Sequence, residues 1–363
     1  MTPVNENQAL RILVLNPGST STKVAYFENE ECLWQDQVLY TIDQIASCRD
    51  YLDQVEFRQN DLETLIREHD LDVSNLSAIA SRGGPFKPLE SGTYLVDESV
   101  IKDVRNKNVQ IDHVSNTGVL IAYDMGHRYG IPAYFVDPIS VDEFEPEARI
   151  SGFPGIDRKS LVHALNIKAV SRKAATELNR NYDALNFVVA HLGGGISICA
   201  IKHGRIIDVN NAVEEGPFSP ERSGTVPASS LARLCFNGQL PYETVKKRIV
   251  GKGGLNGLLG ISDLREIENK IRQGDRHAEL VVNAMAYQIF KEIGAMAAVL
   301  KGRVDGIILT GGVAHAQRVV ERIKEHVDFL GRIFVYPGEM EMEALASGVT
   351  RVLKGEEKVK SYT

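Results

Sequence analysis

One pattern of strand, glycine turn and strand occurs twice in this chain at a constant offset, and it constrains the fold more than any other feature. The apolar run Arg11-Ile-Leu-Val-Leu15 reads as a buried strand. The turn Asn16-Pro-Gly-Ser-Thr-Ser21 follows it, then Thr22-Lys-Val-Ala-Tyr-Phe27, which is rich in β-formers. Glu28-Asn29-Glu30 turns into a third strand near Cys32 to Val38. The later copy runs from Asn186-Phe-Val-Val-Ala190 through His191-Leu-Gly-Gly-Gly195 to a strand over Ile196 to Ile201. Lys202-His203-Gly204 then turns into Ile206-Ile-Asp-Val209. Gly18 and Gly193 are 175 positions apart, and so are Asn29 and Gly204. Two independent turns sharing one offset point to a duplicated unit.

At 363 residues the chain is too long for one comfortable core. Helical spacing of apolar residues predicts helices over Asp61 to His69, Lys159 to Leu178 and Glu279 to Leu300. The glycine-rich stretch Gly251 to Gly260 reads as a loop, with Ser262 or Asp263 capping the helix after it. Strands followed by helices in each half define an α/β class. The boundary is expected near residue 155, in the loop containing Gly152, Pro154 and Gly155, giving units 1–155 and 156–363. A helix near 341–355 is expected to pack back on the first unit.

Net charge is −7, so the global field repels nucleic acid and acidic membranes. Cys32, Cys48, Cys199 and Cys235 are scattered and form no C-x-x-C pair, which argues against a disulfide framework or a zinc site. Met1 to Leu10 lacks a basic stretch followed by an apolar run, and no apolar stretch approaches the roughly 18–20 residues that span a bilayer. These features predict a cytoplasmic enzyme.

Three glycine turns follow buried strands. The first, Gly18-Ser-Thr-Ser-Thr-Lys23, is not the G-x-x-x-x-G-K-[ST] phosphate loop, because Thr22 precedes Lys23 and a strand follows where that motif needs a helix. A hairpin tip of small hydroxyl residues still offers amides and hydroxyls to a phosphate. The second is His191-Leu-Gly-Gly-Gly195, where backbone amides approach an anion closely. The third follows Gly306-Ile-Ile-Leu-Thr310: Gly311-Gly312 lead into a helical run from His315, a place for a nucleotide at a helix N-terminus.

Together the three turns resemble the acetate and sugar kinase/Hsp70/actin superfamily, whose two related halves hold ATP in an interlobe cleft. Within it the chain resembles the acetokinase family. Asn16-Pro-Gly-Ser-Thr-Ser-Thr-Lys23, His191-Leu-Gly-Gly-Gly195 and Glu221-Arg-Ser-Gly-Thr225 match three family blocks in order, and the match runs from about residue 11 to 350. The resemblance implies a duplicated actin-like (ribonuclease H-like) fold and an ATP-dependent kinase acting on a short-chain carboxylate. Gly194 stands where acetate kinases have Asn, and Ser81-Arg-Gly-Gly-Pro-Phe86 has lost two apolar residues or replaced them by glycines. Asp137-Pro138, Val141-Asp-Glu-Phe-Glu-Pro146 and Arg149-Ile-Ser-Gly152 resemble the butyrate kinase branch.

The resemblance nominates Arg82, Arg222, His163, His191 and Asp137 as catalytic. It assigns phosphate contacts to Ser19, Ser21, Lys23, Gly193, Gly194, Gly195, Gly311 and Gly312. It assigns Mg²⁺ to Asn16, Asp137 and Glu341, Asp137 as a ligand or an outer-shell partner, with Glu339 and Glu343 as flanking alternatives to the last. Read from the residues alone, His163 in its apolar run is a satisfied core histidine, whereas His191 ends a strand before three glycines. A carboxylic acid with a pKa of about 4.3 is already ionised near neutrality, so it needs no general base. It needs cations that let it meet a polyanionic phosphate, and a guanidinium fork suits that role. Val213, where acetate enzymes place a proline, together with Gly83 and Gly84, is compatible with a longer acyl chain. The implied partners are ATP or ADP, a short-chain carboxylate or acyl phosphate, and a second copy of the chain. Acetate, propionate and branched acids are alternative substrates, and a non-catalytic nucleotide switch of the actin or Hsp70 kind is the alternative class.

Overall fold

A computed structural model describes residues 9–363. The polar segment 1–8, where a leader was sought in the sequence, lies outside the described residues. The chain forms two compact units, one ending at Val141 and taking up Met340–Thr363 again, the other spanning Asp142–Glu339. The sequence expectation had placed this division near residue 155.

The first unit opens with β1 (Arg11–Pro17), β2 (Ser21–Glu28) and β3 (Glu31–Leu39), two consecutive antiparallel hairpins. There follow α1 (Ile42–Ala46), α2 (Val55–Glu68), β4 (Ala78–Arg82), β5 (Thr93–Leu95), α3 (Glu98–Arg105), α4 (Thr117–Tyr129) and β6 (Ala133–Val136). Helix α2 is longer than the expected 61–69. The sheet order is β3-β2-β1-β4-β6-β5, with β1, β4 and β6 parallel. Ile12 to Val14 are fully buried because the central strand is covered on both faces.

The second unit contains α5 (Pro146–Arg149), β7 (Ile150–Phe153), β8 (Ile156–Asp157), α6 (Ala164–Glu177), β9 (Asn186–Leu192), β10 (Ile196–Lys202) and β11 (Arg205–Val209). It continues with α7 (Ala228–Phe236), α8 (Tyr242–Ile249), α9 (Gly254–Leu259), α10 (Leu264–Arg272), α11 (Arg276–Val299), β12 (Gly306–Gly311), α12 (Gln317–Val327) and β13 (Ile333–Pro337). Helix α13 (Glu341–Leu353) then packs on β1, β4 and β6 of the first unit. The second sheet has the order β11-β10-β9-β12-β13, again an antiparallel triplet followed by parallel strands. This repeats β3-β2-β1-β4-β6, so the duplicated α/β fold expected from the paired turns is present. Asn29 (φ 58°) and Gly204 (φ 78°), the second pair at the common offset, both turn their hairpins through the left-handed region.

Three local expectations need correction. The helix expected from Lys159 begins at Ala164, and His163 precedes it in a non-helical conformation that lets its carbonyl accept from the Ile167 amide. The stretch expected as a loop over 251–260 contains α9. Its Leu255 and Asn256 amides are satisfied by the carbonyls of Ser219 and Pro220, so tertiary contacts override the two glycines within it, Gly254 and Gly257. The run from His315 begins as a 3₁₀ turn over Gly312–His315, and α12 starts at Gln317. Asp263 caps α10 as expected, accepting from the Arg265 amide.

Cys199 is wholly enclosed on β10, and burial pushes its thiol up to about 12. Cys32 and Cys235 are exposed. Titration of the native protein with a disulfide reagent at pH 8 should leave Cys199 unreacted until denaturant is added. Modification of all four thiols in the folded protein would contradict this packing.

Candidate active site

In the first unit, three parallel strands deliver polar side chains to their carboxyl ends. Register pairs Leu15 with Ser81 and Arg82 with Val136, so Asn16, Arg82 and Asp137 end adjacent strands. This is where open α/β sheets bind ligands. Glu341, at the start of α13, joins them. Its Oε2 accepts from Asn16 Nδ2 at 2.8 Å and from an Arg82 guanidinium nitrogen at 3.0 Å, and that nitrogen also donates to Asn16 Oδ1 at 3.2 Å. Glu341 thus occupies this position, while Glu339 belongs to the second unit, 3.7 Å from His191 Nε2. Asp137 takes a positive φ of 38°, and its Oδ1 accepts the Gly92 amide at 2.7 Å. Asn16, Asp137 and Glu341 offer an amide and two carboxylates, the hard oxygen set suited to Mg²⁺. Among the described residues no three His, Cys, Asp or Glu side chains cluster as a metal cage. Water and phosphate oxygens would complete any coordination here.

The hydroxyl turn rests on a cation that the sequence reading missed. Arg58 on α2 is fully buried and donates to the carbonyls of Gly18 (3.1 Å) and Ser21 (3.0 Å) and to Thr22 Oγ1 (2.7 Å). Gln54 Oε1 and the face of Tyr40 complete its surroundings. Burial pushes its guanidinium below the ordinary value, with the charges of Tyr40, Cys48 and Asp61 opposing. With its carbonyls tied to Arg58, the turn leaves Ser19 exposed and Ser21 half-buried, and Lys23 stands opposite Asn16 in register.

Gly83 and Gly84 have a packing explanation. A Cβ at Gly83 would sit 2.6 Å from Pro138 Cβ, and one at Gly84 would sit 1.8 Å from Asn116 Oδ1. Neighbouring atoms already fill the space each glycine vacates, so these two positions carry no argument about acyl-chain length.

In the second unit, His191 ends β9 opposite Ser197 and beside Thr310. Its ring stacks on that of His163, centroids 4.0 Å apart. Asn166 Nδ2 lies 2.9 Å from His191 Nδ1 and donates to Thr310 Oγ1 at 3.1 Å, while His163 Nδ1 lies 3.0 Å from Ser197 Oγ. An amide donor on Nδ1 puts the proton of the neutral ring on Nε2, the nitrogen nearer Gly193. His163 is therefore half-buried and part of a polar network that includes Ser197 and His191.

Arg222 lies against the same glycine turn. Its guanidinium donates to the Ala212 carbonyl at 3.0 Å, and a Cβ on Gly195 would come within 2.3 Å of it. Half-buried Val213 directly follows that carbonyl. Ser219 Oγ donates to the Gly194 carbonyl and accepts from the Glu221 and Arg222 amides, tying turn to arginine. Burial lowers Arg222 from its ordinary value, with the Glu221 charge opposing, yet a guanidinium stays protonated. Among the described residues no carboxylate lies within ion-pair distance of it, so its charge is available to an anion. Gly311 (φ 89°) packs on the Leu192 backbone, whereas Gly312 faces open space. A cavity of about 710 Å³ lies alongside, lined by Gly193, Gly194, Glu221, Asp263, Gly312 and His315, within the range of small-molecule sites.

Asn166, Ser197, Ser219, Thr310 and Arg58 carry no local motif. Each has at least one of its partners far off in the chain.

These two sets of side chains each lie at the carboxyl ends of parallel strands in a repeated α/β sheet, the fold shared with known kinases. Among solved structures, the chain is similar to an acetate kinase from Porphyromonas gingivalis (24% identity, 95% of this chain and 100% of that one, TM-score 0.78). It is also similar to a propionate kinase from Francisella tularensis subsp. tularensis SCHU S4 (18% identity, 93% and 98%, TM-score 0.73). An acetate kinase from Entamoeba histolytica has the same fold (17% identity, 93% and 98%, TM-score 0.74). The family model of the acetokinases matches residues 155–354. The chain belongs to the acetokinase family and is a phosphotransferase with a carboxyl group as acceptor.

Proposed function

We propose that this carboxylate kinase acts on butyrate, converting ATP and butanoate to ADP and butanoyl phosphate. A carboxylate oxygen attacks the γ-phosphorus in line, and the bond from that phosphorus to the β–γ bridging oxygen breaks, its electrons leaving with ADP. The acid arrives ionised, so no proton is removed. Arg82 and Arg222 bind and orient the two anions, and His191 donates from Nε2 to the transferring group. Asn166 and Ser197 hold the two histidine rings. Asn16, Asp137 and Glu341 would hold Mg²⁺, which when bound neutralises phosphate charge.

The observation that carries butyrate over acetate is Val213 beside the carbonyl that anchors Arg222, where acetate enzymes place a proline. The butyrate-kinase-like run from Asp137 to Gly152 supports it. Each extra buried CH₂ contributes about 0.8 kcal/mol, so two of them should favour butyrate over acetate by roughly tenfold in kcat/KM. A panel of acetate, propionate, butyrate, isobutyrate and valerate, with hydroxylamine trapping of the acyl phosphate, tests this. Equal kcat/KM on acetate and butyrate removes the butyrate reading and leaves the carboxylate kinase.

A further inference from the structure

The segment that follows α13 returns to the first unit's site along two separate routes. The first leads to Asp137. Lys360 pairs in the manner of a parallel strand beside β5, its amide donating to the Thr93 carbonyl at 2.9 Å and its carbonyl accepting from the Leu95 amide at 3.0 Å. Glu357 Oε1 accepts the Thr93 amide at 2.9 Å, and its Oε2 is held by Arg351 at 2.8 Å. Thr93 is the neighbour of Gly92, and Gly92 both donates to the Asp137 carboxylate and accepts the Asp137 amide at 3.0 Å. Gly92 has φ +136°, and a Cβ there would meet the Lys360 side chain at 3.1 Å. The backbone that fixes Asp137 is therefore packed directly under this segment.

The second route leads to the turn after Arg82. Tyr362 is 1% exposed, and its hydroxyl donates to Asp103 Oδ2 at 3.0 Å. Its ring meets Phe86 edge-on at 6.1 Å, and Lys87 Nζ lies 4.0 Å above it. Phe86 is fully buried and closes the Gly83–Phe86 turn, so the Tyr362 ring supports that turn from beneath.

We propose that Glu357 and Tyr362 are positioning residues for the carboxylate-side site, Glu357 acting through Gly92 on Asp137 and Tyr362 acting through Phe86 on the turn that follows Arg82. Neither side chain touches a reacting group. The proposal rests on the reading of Asp137 and Arg82 as site residues. A displacement of about 1 Å in such a constellation is enough to cost turnover.

The test compares Glu357→Ala, Tyr362→Ala and Tyr362→Phe in the full chain. The two alanine variants should raise KM for the carboxylate about tenfold and leave KM for ATP within about twofold. Tyr362→Phe keeps the ring under Phe86 and should behave as the parent enzyme. Faster amide hydrogen exchange at Thr93 and Leu95 in Glu357→Ala would show that the clamp has been released. A purely structural role would instead lower Tm and the active fraction with both KM values unchanged, and that result overturns the proposal. If Tyr362→Ala does not fold, Glu357→Ala decides the matter, since it removes hydrogen bonds and not a core ring. Asp137→Asn and Arg82→Ala are run in parallel. If these two leave carboxylate kinetics intact, the reading of the site has failed. If they abolish turnover while the alanine variants keep the parent KM, this inference alone has failed.

Discussion

Arg82→Ala is expected to lower kcat/KM for the carboxylate by about a thousandfold, in the range seen when a preorganised charge partner is removed. The side chain has two duties in one geometry. It compensates Glu341, which is 7% exposed, and it presents the rest of a guanidinium at the end of β4. Alanine removes both, including the 3.0 Å ion pair to the buried Glu341 carboxylate, so a stability loss of about 1–3 kcal/mol should accompany the rate loss. Two further variants separate these effects. Arg82→Lys keeps a positive charge near Glu341 and should recover most of the stability, but a point charge cannot reproduce the planar fork, so the rate should stay low. Combining Arg82→Ala with Glu341→Gln also removes the carboxylate that Arg82 paired and should recover part of the lost Tm without restoring turnover. Circular dichroism, thermal melts and the acyl-phosphate assay read all three. An Arg82→Ala enzyme that folds and retains more than a tenth of the parent kcat/KM would remove Arg82 from the reaction.

The sequence made the repeated sheet legible because its information is local. Apolar runs such as Arg11–Leu15 and Asn186–Ala190 need only their own residues to be recognised, and the turns at Asn29 and Gly204 are marked by residue types that tolerate positive φ. The strand-end residues Asn16, Arg82 and His191 were legible for the same reason. What escaped was set by distant partners. Asn166 reaches Thr310 across 144 residues, and Arg58 reaches the Gly18 carbonyl across 40, so neither leaves a pattern in its own neighbourhood. His163 was misplaced because Leu161, Val162, Ala164 and Leu165 continue a helical apolar period on both sides of it. The helix nevertheless starts one residue later, where His163 meets Ser197 and stacks on His191. Gly83 and Gly84 show the converse error. Glycine in a substrate-side turn resembles added room, but the neighbours that fill the vacated volume, Pro138 and Asn116, lie dozens of residues away.

Arg222→Ala should have the larger effect, about 10³–10⁵ in kcat, because its charge is committed to no carboxylate among the described residues. A cation held only by a main-chain carbonyl and by burial is poised for an anion, and in a phosphoryl transfer that anion gains charge on its equatorial oxygens. The geometry supplies a stricter test than deletion. Gly195 lies so close to the guanidinium that a Cβ there would stand 2.3 Å from one terminal nitrogen and 2.7 Å from Cζ. Gly195→Ala therefore keeps the arginine and its charge but forces the fork to move. The expected loss is about 10–100-fold in kcat, with KM for ATP changed much less, since the cavity lining at Gly193, Gly194 and Gly312 is untouched. Arg222→Lys should fall close to Arg222→Ala, because an ammonium cannot hold the Ala212 carbonyl and an equatorial oxygen in the same plane. If Gly195→Ala keeps the parent kcat while Arg222→Ala loses a thousandfold, the charge matters but its exact placement under the glycine turn does not. If Arg222→Ala itself folds and keeps more than a tenth of the parent kcat, transition-state stabilisation from this unit must come from His191 and the turn amides instead.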